Sequence, residues 1–148
     1  MPPKGKFESG YEEVLRIQRL GSLPVVAVVH GPVAEGMSLE QYASDTIKFL
    51  TSKDWVTTHP TTNIVLHRMV RLEDGSPAWE LVLTGVSLTR FPSREEVGRQ
   101  LEQRDVQVKV LHVVRGATCF MVEGLTTIDL FNMQEAQIDE VLYSFRLE

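Results

Sequence analysis

The stretch VQVKVLHVVRGATCFMVEGLTT, residues 106–127, decides the fold. Val106–Val114 and Ala117–Thr127 are β-rich runs separated by Arg115-Gly116. Two turn residues including a glycine between extended runs encode a hairpin. Val106, Val108, Val110 and Val114 share one face of the first run, interrupted by His112, a position suited to a half-buried core histidine. Outward from there the pattern repeats. Val14–Leu20 and Leu23–His30 flank Gly21-Ser22, with Pro24 at the start of the second run, where a missing donor does least harm. Val25–Val29 is almost continuously apolar, as a strand covered on both faces requires. Asn63–Leu72 and Ala78–Ser87 are joined by Glu73-Asp74-Gly75-Ser76-Pro77, a turn cluster with an Asp-Gly step. In the former, alternation places Ile64, Leu66, Arg68 and Val70 on one face and Val65, His67, Met69 and Arg71 on the other. In the latter, Trp79, Leu81 and Leu83 oppose Glu80, Val82 and Thr84.

Helices punctuate these hairpins. Ser38-Leu39-Glu40-Gln41 is a capping box, and Leu39, Ala43, Ile47 and Leu50 recur at helical spacing, with Tyr42 and Phe49 flanking the stripe. That helix should end near Thr51–Asp54, and Trp55–Pro60 reads as a loop or short extended piece. Ser93-Arg94-Glu95-Glu96 opens a second, mostly polar helix running to Arg104. Asn132-Met133-Gln134-Glu135 should cap a third, whose buried stripe is Ile138, Val141, Leu142 and Phe145. Phe145→Ala is then expected to cost on the order of 3–5 kcal/mol. The order ββαββ(α)ββα, with hairpin connections, predicts an α+β fold: an antiparallel sheet with helices packed on its faces. Residues 1–12 lack periodicity and read as a loose arm or expression remnant. Residues 13–148 read as one domain with an inserted helical segment at about 88–105.

A chain of 148 residues buries roughly 70% of its unfolded surface, so no staple or metal is needed to hold it. The formal charge is −5, which argues against a general nucleic-acid or membrane-surface binder. No apolar run approaches the roughly 20 residues of a membrane span. Charge is unevenly spread: up to Val122 basic and acidic residues balance, whereas Glu123–Glu148 holds six acids against Arg146 alone. That tail reads as a solvated helix face, or as a docking surface for a basic partner.

The residues that could carry chemistry do not assemble in sequence. His30, His59, His67 and His112 show no helical metal-ligand spacing and no neighbouring cysteine. Cys119 stands between Thr118 and Phe120 without a cation or base to activate it, and it cannot close an internal disulfide. There is no G-x-S-x-G elbow and no glycine-rich phosphate cradle. No catalytic, cofactor-binding or metal-ligating residue is assigned.

Three segments carry a family likeness. They are Val25–His30 closed by Gly31-Pro32 and followed by Met37-Ser38-Leu39-Glu40-Gln41-Tyr42; Gly75-x-Pro77-Ala78-Trp79-Glu80-Leu81-Val82-Leu83-Thr84-Gly85; and Ile138-x-x-Val141-Leu142-x-Ser144-Phe145-Arg146. Together they resemble the PsbP-like superfamily over roughly residues 14–147. The resemblance implies an α-β-α sandwich around an antiparallel sheet. It also implies a non-catalytic binding or assembly role, since such domains serve as photosystem II extrinsic proteins, a Ran-binding import factor, bacterial lipoproteins and adaptor chaperones. Two departures stand out. Met1–Glu13 lacks the aromatic-rich opening hairpin with its Pro-x-x-Trp segment, and Leu88–Asp105 is an insertion.

The resulting expectation is a protein-binding adaptor module, with no cofactor and an unnamed protein partner. A carrier of an apolar ligand, and a hydrolase or metal-dependent enzyme whose site forms only on folding, are the alternatives. Candidate partner-binding residues are Arg90, Phe91, Arg94, Arg99 and Trp55, because arginine and aromatic side chains anchor interfaces. Homo-oligomerisation is left open. The compartment follows the N-terminus: cytoplasmic if residues 1–12 are native, extracytoplasmic if they replaced a leader.

Overall fold

The computed structural model describes residues 12–18, 25–85 and 106–147. The elements are β1 (Glu12–Gln18), β2 (Val25–Pro32), α1 (Leu39–Leu50), α2 (Lys53–Thr58), β3 (Asn63–Arg71), β4 (Pro77–Thr84), β5 (Val106–Arg115), β6 (Thr118–Thr127) and α3 (Ile128–Tyr143). The strands form one sheet in the order β1-β2-β6-β5-β4-β3, and every neighbouring pair is antiparallel. The architecture is the expected α+β sheet with helices on its faces. β1 starts at Glu12, one residue inside the stretch read as an arm.

Strand alternation sorts the side chains into two cores. Ala27, Val29, Trp79, Leu81, Val108, Val110 and Met121 meet Tyr42 and Ala43 of α1 on one face. Val26, Val82, Leu111, Val113 and Val122 meet Phe131, Ile138 and Leu142 of α3 on the other. The central strands are therefore buried on both sides, as the apolar run Val25–Val29 predicts. His112 is buried completely rather than by half.

Four local readings need correction. Only half of the first capping box forms: Ser38 Oγ accepts the Gln41 N–H at 3.1 Å, but the Gln41 amide donates to Asp45 at 2.7 Å instead of reaching back. Trp55–Thr58 is helical, not loop. Ser52 Oγ caps the Trp55 N–H at 3.3 Å, and the Thr57 and Thr58 hydroxyls donate to carbonyls one turn back, which outweighs the poor helix propensity of β-branched residues. The third helix begins four residues before its expected cap. β6 runs directly into it at Thr127, and Thr126 Oγ1 donates to Gln134 Oε1 at 2.6 Å, leaving Asn132 inside the first turns. Finally, the β3–β4 register shifts between Ile64 and Leu66, so Val65 is bulged out. Ile64 consequently joins the α1-side core, separate from Leu66, Arg68 and Val70.

Phe145 also departs from expectation. It lies two residues beyond the end of α3, past the Ser144 cap, is half-buried, and sits 6.3 Å from Phe120 between ring centres. Val141 is exposed, and the buried stripe of α3 is Phe131, Ile138 and Leu142. The loss expected for Phe145→Ala falls accordingly to about 2 kcal/mol.

The seat of α3 is set by Gly124. A Cβ there would overlap Cγ2 of Ile138 and crowd Cδ1 of Leu142, so the helix lies directly on the β6 backbone. Gly124→Ala should lower stability by about 1–3 kcal/mol, because α3 must lift or Ile138 must leave its rotamer. Urea unfolding of the variant measures this, and Gly124→Ala combined with Ile138→Leu, which has no methyl branch at Cβ, should recover part of the loss.

Candidate functional site

Two polar clusters are centred on buried residues of the sandwich, one on Lys109 with Glu80 and the other on His112. On the α3 side, Lys109 of β5 holds its ammonium 2.8 Å from Asp139, 3.3 Å from Glu135 and 3.8 Å from Glu80 Oε1. The Phe131 ring lies 5.8 Å from the same nitrogen. Glu80 of β4 is fully buried; its Oε2 accepts the Tyr143 hydroxyl, and its Oε1 is 3.5 Å from the Arg68 guanidinium. Burial, and next the carboxylate of Glu80, push the Tyr143 phenol upward, so it stays a proton donor at any physiological pH. Lys109, Glu135, Asp139, Glu80 and Tyr143 thus form a chain of opposite charges and donors under α3, with Arg68 reaching in from the surface.

On the α1 side, His112 Nδ1 donates to the Trp79 carbonyl at 3.1 Å, since a carbonyl can only accept. Its ring is 4.8 Å from Trp79 and 5.3 Å from Tyr42 between centres, while His67 approaches the edge of Trp79 at 6.0 Å. Cys119 belongs to the same core. Burial pushes its thiol up to about 11, despite a hydrogen bond with Tyr42. A group protonated that firmly is neither a nucleophile nor a ready metal ligand. Among the described residues, no group of three or more His, Cys, Asp or Glu side chains is placed to hold a metal ion.

Of the sequence-derived candidates, Trp55 is the one within the described residues; Arg90, Phe91, Arg94 and Arg99, with the helix expected at Ser93–Arg104, lie outside them. Trp55 is half-buried in α2, stacked on His59 at 3.6 Å with an 8° interplanar angle, and 5.0 Å from Phe49. Its indole N–H is buried without a hydrogen-bond partner. Glu80 and Lys109 were not singled out by the sequence reading, although the signal was present. Both alternate with apolar residues (Ala78 and Val82; Leu111 and Val113) that share their face.

No family model matches the chain, and no curated protein matches it. Solved structures do. PA94 from Pseudomonas aeruginosa, a protein of unknown function, superposes with a TM-score of 0.60 at 11% identity, covering 96% of this chain and 85% of that one. PsbP (CyanoP) from the cyanobacterium Synechocystis sp. PCC 6803 superposes with a TM-score of 0.55 at 12% identity, covering 96% and 84%. The fold is PsbP-like. This agrees with the resemblance carried by the three sequence segments, and identities this low speak to fold alone. No helix among the described residues of this PsbP-like domain is long and apolar enough to cross a membrane.

Two measurements check the clusters. Lys109→Ala leaves Glu80 buried beside α3 with a weaker counter-charge and should cost on the order of 3–5 kcal/mol, whereas Lys109→Met combined with Glu80→Leu should recover more than half of it. Cys119 should react with iodoacetamide at pH 8 about a hundredfold more slowly in the native protein than in guanidinium. The two-unit rise in its pKa removes that factor of thiolate before access is counted. Because the folded thiol titrates above its ordinary 9.0, its contribution to stability is intact below pH 9 and is lost between pH 9 and about 11. Cys119→Ala should lack that loss.

Proposed function

We propose that this PsbP-like domain is a non-catalytic protein-binding module of the adaptor type. The reading is supported by a contrast between interior and surface. The groups capable of chemistry (Cys119, His112, Glu80, Lys109) are spent on the core. Large apolar side chains are meanwhile left in solvent, with Phe49 58% and Val56 51% exposed on either side of Trp55. An apolar cluster around a tryptophan is the composition of an interface centre. Arg90, Phe91, Arg94 and Arg99 of the inserted segment are proposed as further partner-binding residues, because arginine and aromatic side chains anchor interfaces.

Removal of Thr89–Arg104 tests the idea. Gly85 N–H already donates to the Val106 carbonyl at 2.9 Å, so a short Gly-Ser link closes the gap between neighbouring strands. The shortened chain should melt cooperatively within a few degrees of the parent. In-cell cross-linking to the partner captured by the full chain should fall at least tenfold. Should the deletion unfold the domain, Arg94→Glu with Arg99→Glu and, separately, Trp55→Ala provide the same readout on an intact fold. Capture unchanged in all three variants, each folded, overturns the assignment of this surface.

A further inference from the structure

β3 ends the sheet, and no described strand lies beyond it. The direction of its backbone groups follows from the hairpin. Leu72 N–H donates to the Ser76 carbonyl at 2.9 Å, which makes that pair a hydrogen-bonded one. Antiparallel pairing alternates, so Val70, Arg68 and Leu66 spend their backbone groups on β4. Arg71, Met69 and His67 therefore turn their N–H and C=O groups out of the sheet. The far side of β4 agrees: Pro77, opposite Arg71, has no N–H to offer, and Gly85 donates to Val106, so the odd-numbered residues of β4 bond β5.

The side chains along this edge are unusual for the molecule. Val65, Leu66 and Met69 are 56%, 39% and 46% exposed. Residues 55–72 contain no acid but include His59, His67, Arg68 and Arg71, in a chain of net charge −5. Arg68 and Arg71 fall on opposite faces of the strand, so either face of an added strand would meet a guanidinium. Edge strands are commonly guarded by charges and bulges, and β3 has both. Here the guard has a single sign. It repels a second β3, whose pairing would gather four guanidinium groups, with the carboxylates of the two Glu80 residues beside the Arg68 pair alone, and it attracts an acidic strand.

We propose that the edge of β3, unpaired among the described residues, takes up an extended, apolar segment of a partner protein bearing carboxylates, as an added strand. Main-chain hydrogen bonds to His67, Met69 and Arg71 hold the segment; Val65, Leu66 and Met69 cover its apolar side chains; Arg68 and Arg71 select its charge. The proposal deepens the protein-binding reading above and rests on it.

The probe is a capped, fluorescent peptide of alternating valine and glutamate matched to the nine residues of β3. Anisotropy at low salt should show saturable binding. A valine–lysine peptide, and a valine–glutamate peptide N-methylated through its central residues, should each bind at least tenfold more weakly. Hydrogen exchange at the amides of His67, Met69 and Arg71 should slow on saturation. Arg71→Glu should weaken binding at least tenfold with an unchanged melt; Met69→Lys is a second variant on the same edge. Equal binding of the lysine or N-methylated peptide overturns the proposal, as does exchange protection confined to other strands. So does dimerisation of the chain through β3 in sedimentation. Absence of peptide binding overturns it too, and leaves the adaptor reading standing, because the capture experiment on Trp55 and the inserted segment does not involve β3.

Discussion

Lys109 carries its ammonium group beneath α3, 2.8 Å from Asp139 and 3.3 Å from Glu135, with Glu80 of the neighbouring strand at 3.8 Å. An isolated charge in that position would cost several kcal/mol in lost hydration, so the position is tenable only with α3 in place to bring its carboxylates. The helix in turn is held down over Gly124, where the sheet offers bare backbone to Ile138 and Leu142. Tyr143 completes the arrangement by donating to Glu80, and its own carbonyl accepts the Glu73 N–H at 3.0 Å, which ties the end of the helix to the β3–β4 turn. Charge and packing together fix the helix on three strands.

With α3 on one face and α1 on the other, the middle of the sheet has no wet side. Groups that would be reactive in a cleft become structural here. The Cys119 thiol is raised, the His112 imidazole is committed to a carbonyl, and the Tyr143 phenol is fastened to a buried carboxylate. Among the described residues, large apolar side chains reach solvent chiefly at the periphery, at the aromatic corner of α1 and α2 and along the outer edge of β3. The acidic C-terminal stretch divides along the same line. Glu123 is buried in the α1-side face, and Glu135 and Asp139 serve Lys109, so only part of that charge is a solvated helix face.

The hairpins and their order were legible because turn chemistry and period-two alternation are local signals. Arg115-Gly116, with Gly116 at a φ of +61°, and Glu73–Pro77 each fix a register by themselves. Ser38 and the α1 stripe were legible for the same reason. The errors lie where a non-local or competing local term wins. β-branched Val56, Thr57 and Thr58 argue against a helix, yet hydroxyl-to-carbonyl bonds and the Ser52 cap make one. Thr127 lacks a side-chain cap bond, so the start of α3 is set by β6 and by packing on Gly124, neither visible in a local window. The bulge at Val65 shifts Ile64 to the opposite face, which strict alternation forbids. Lys109 and Glu80 look like surface charges until α3 is folded over them. Of the candidate interface, Trp55 was accessible to composition arguments, whereas the openness of β3 depends on its place in the strand order.

Native-state hydrogen exchange on the unliganded protein tests most directly whether the sheet is closed at its middle and open at β3. The account predicts that the amides of Val110, Leu111 and Val122 exchange only through global unfolding, while those of His67, Met69 and Arg71 exchange within about tenfold of exposed-peptide rates. Protection of His67, Met69 and Arg71 equal to that of the β5 amides would contradict it.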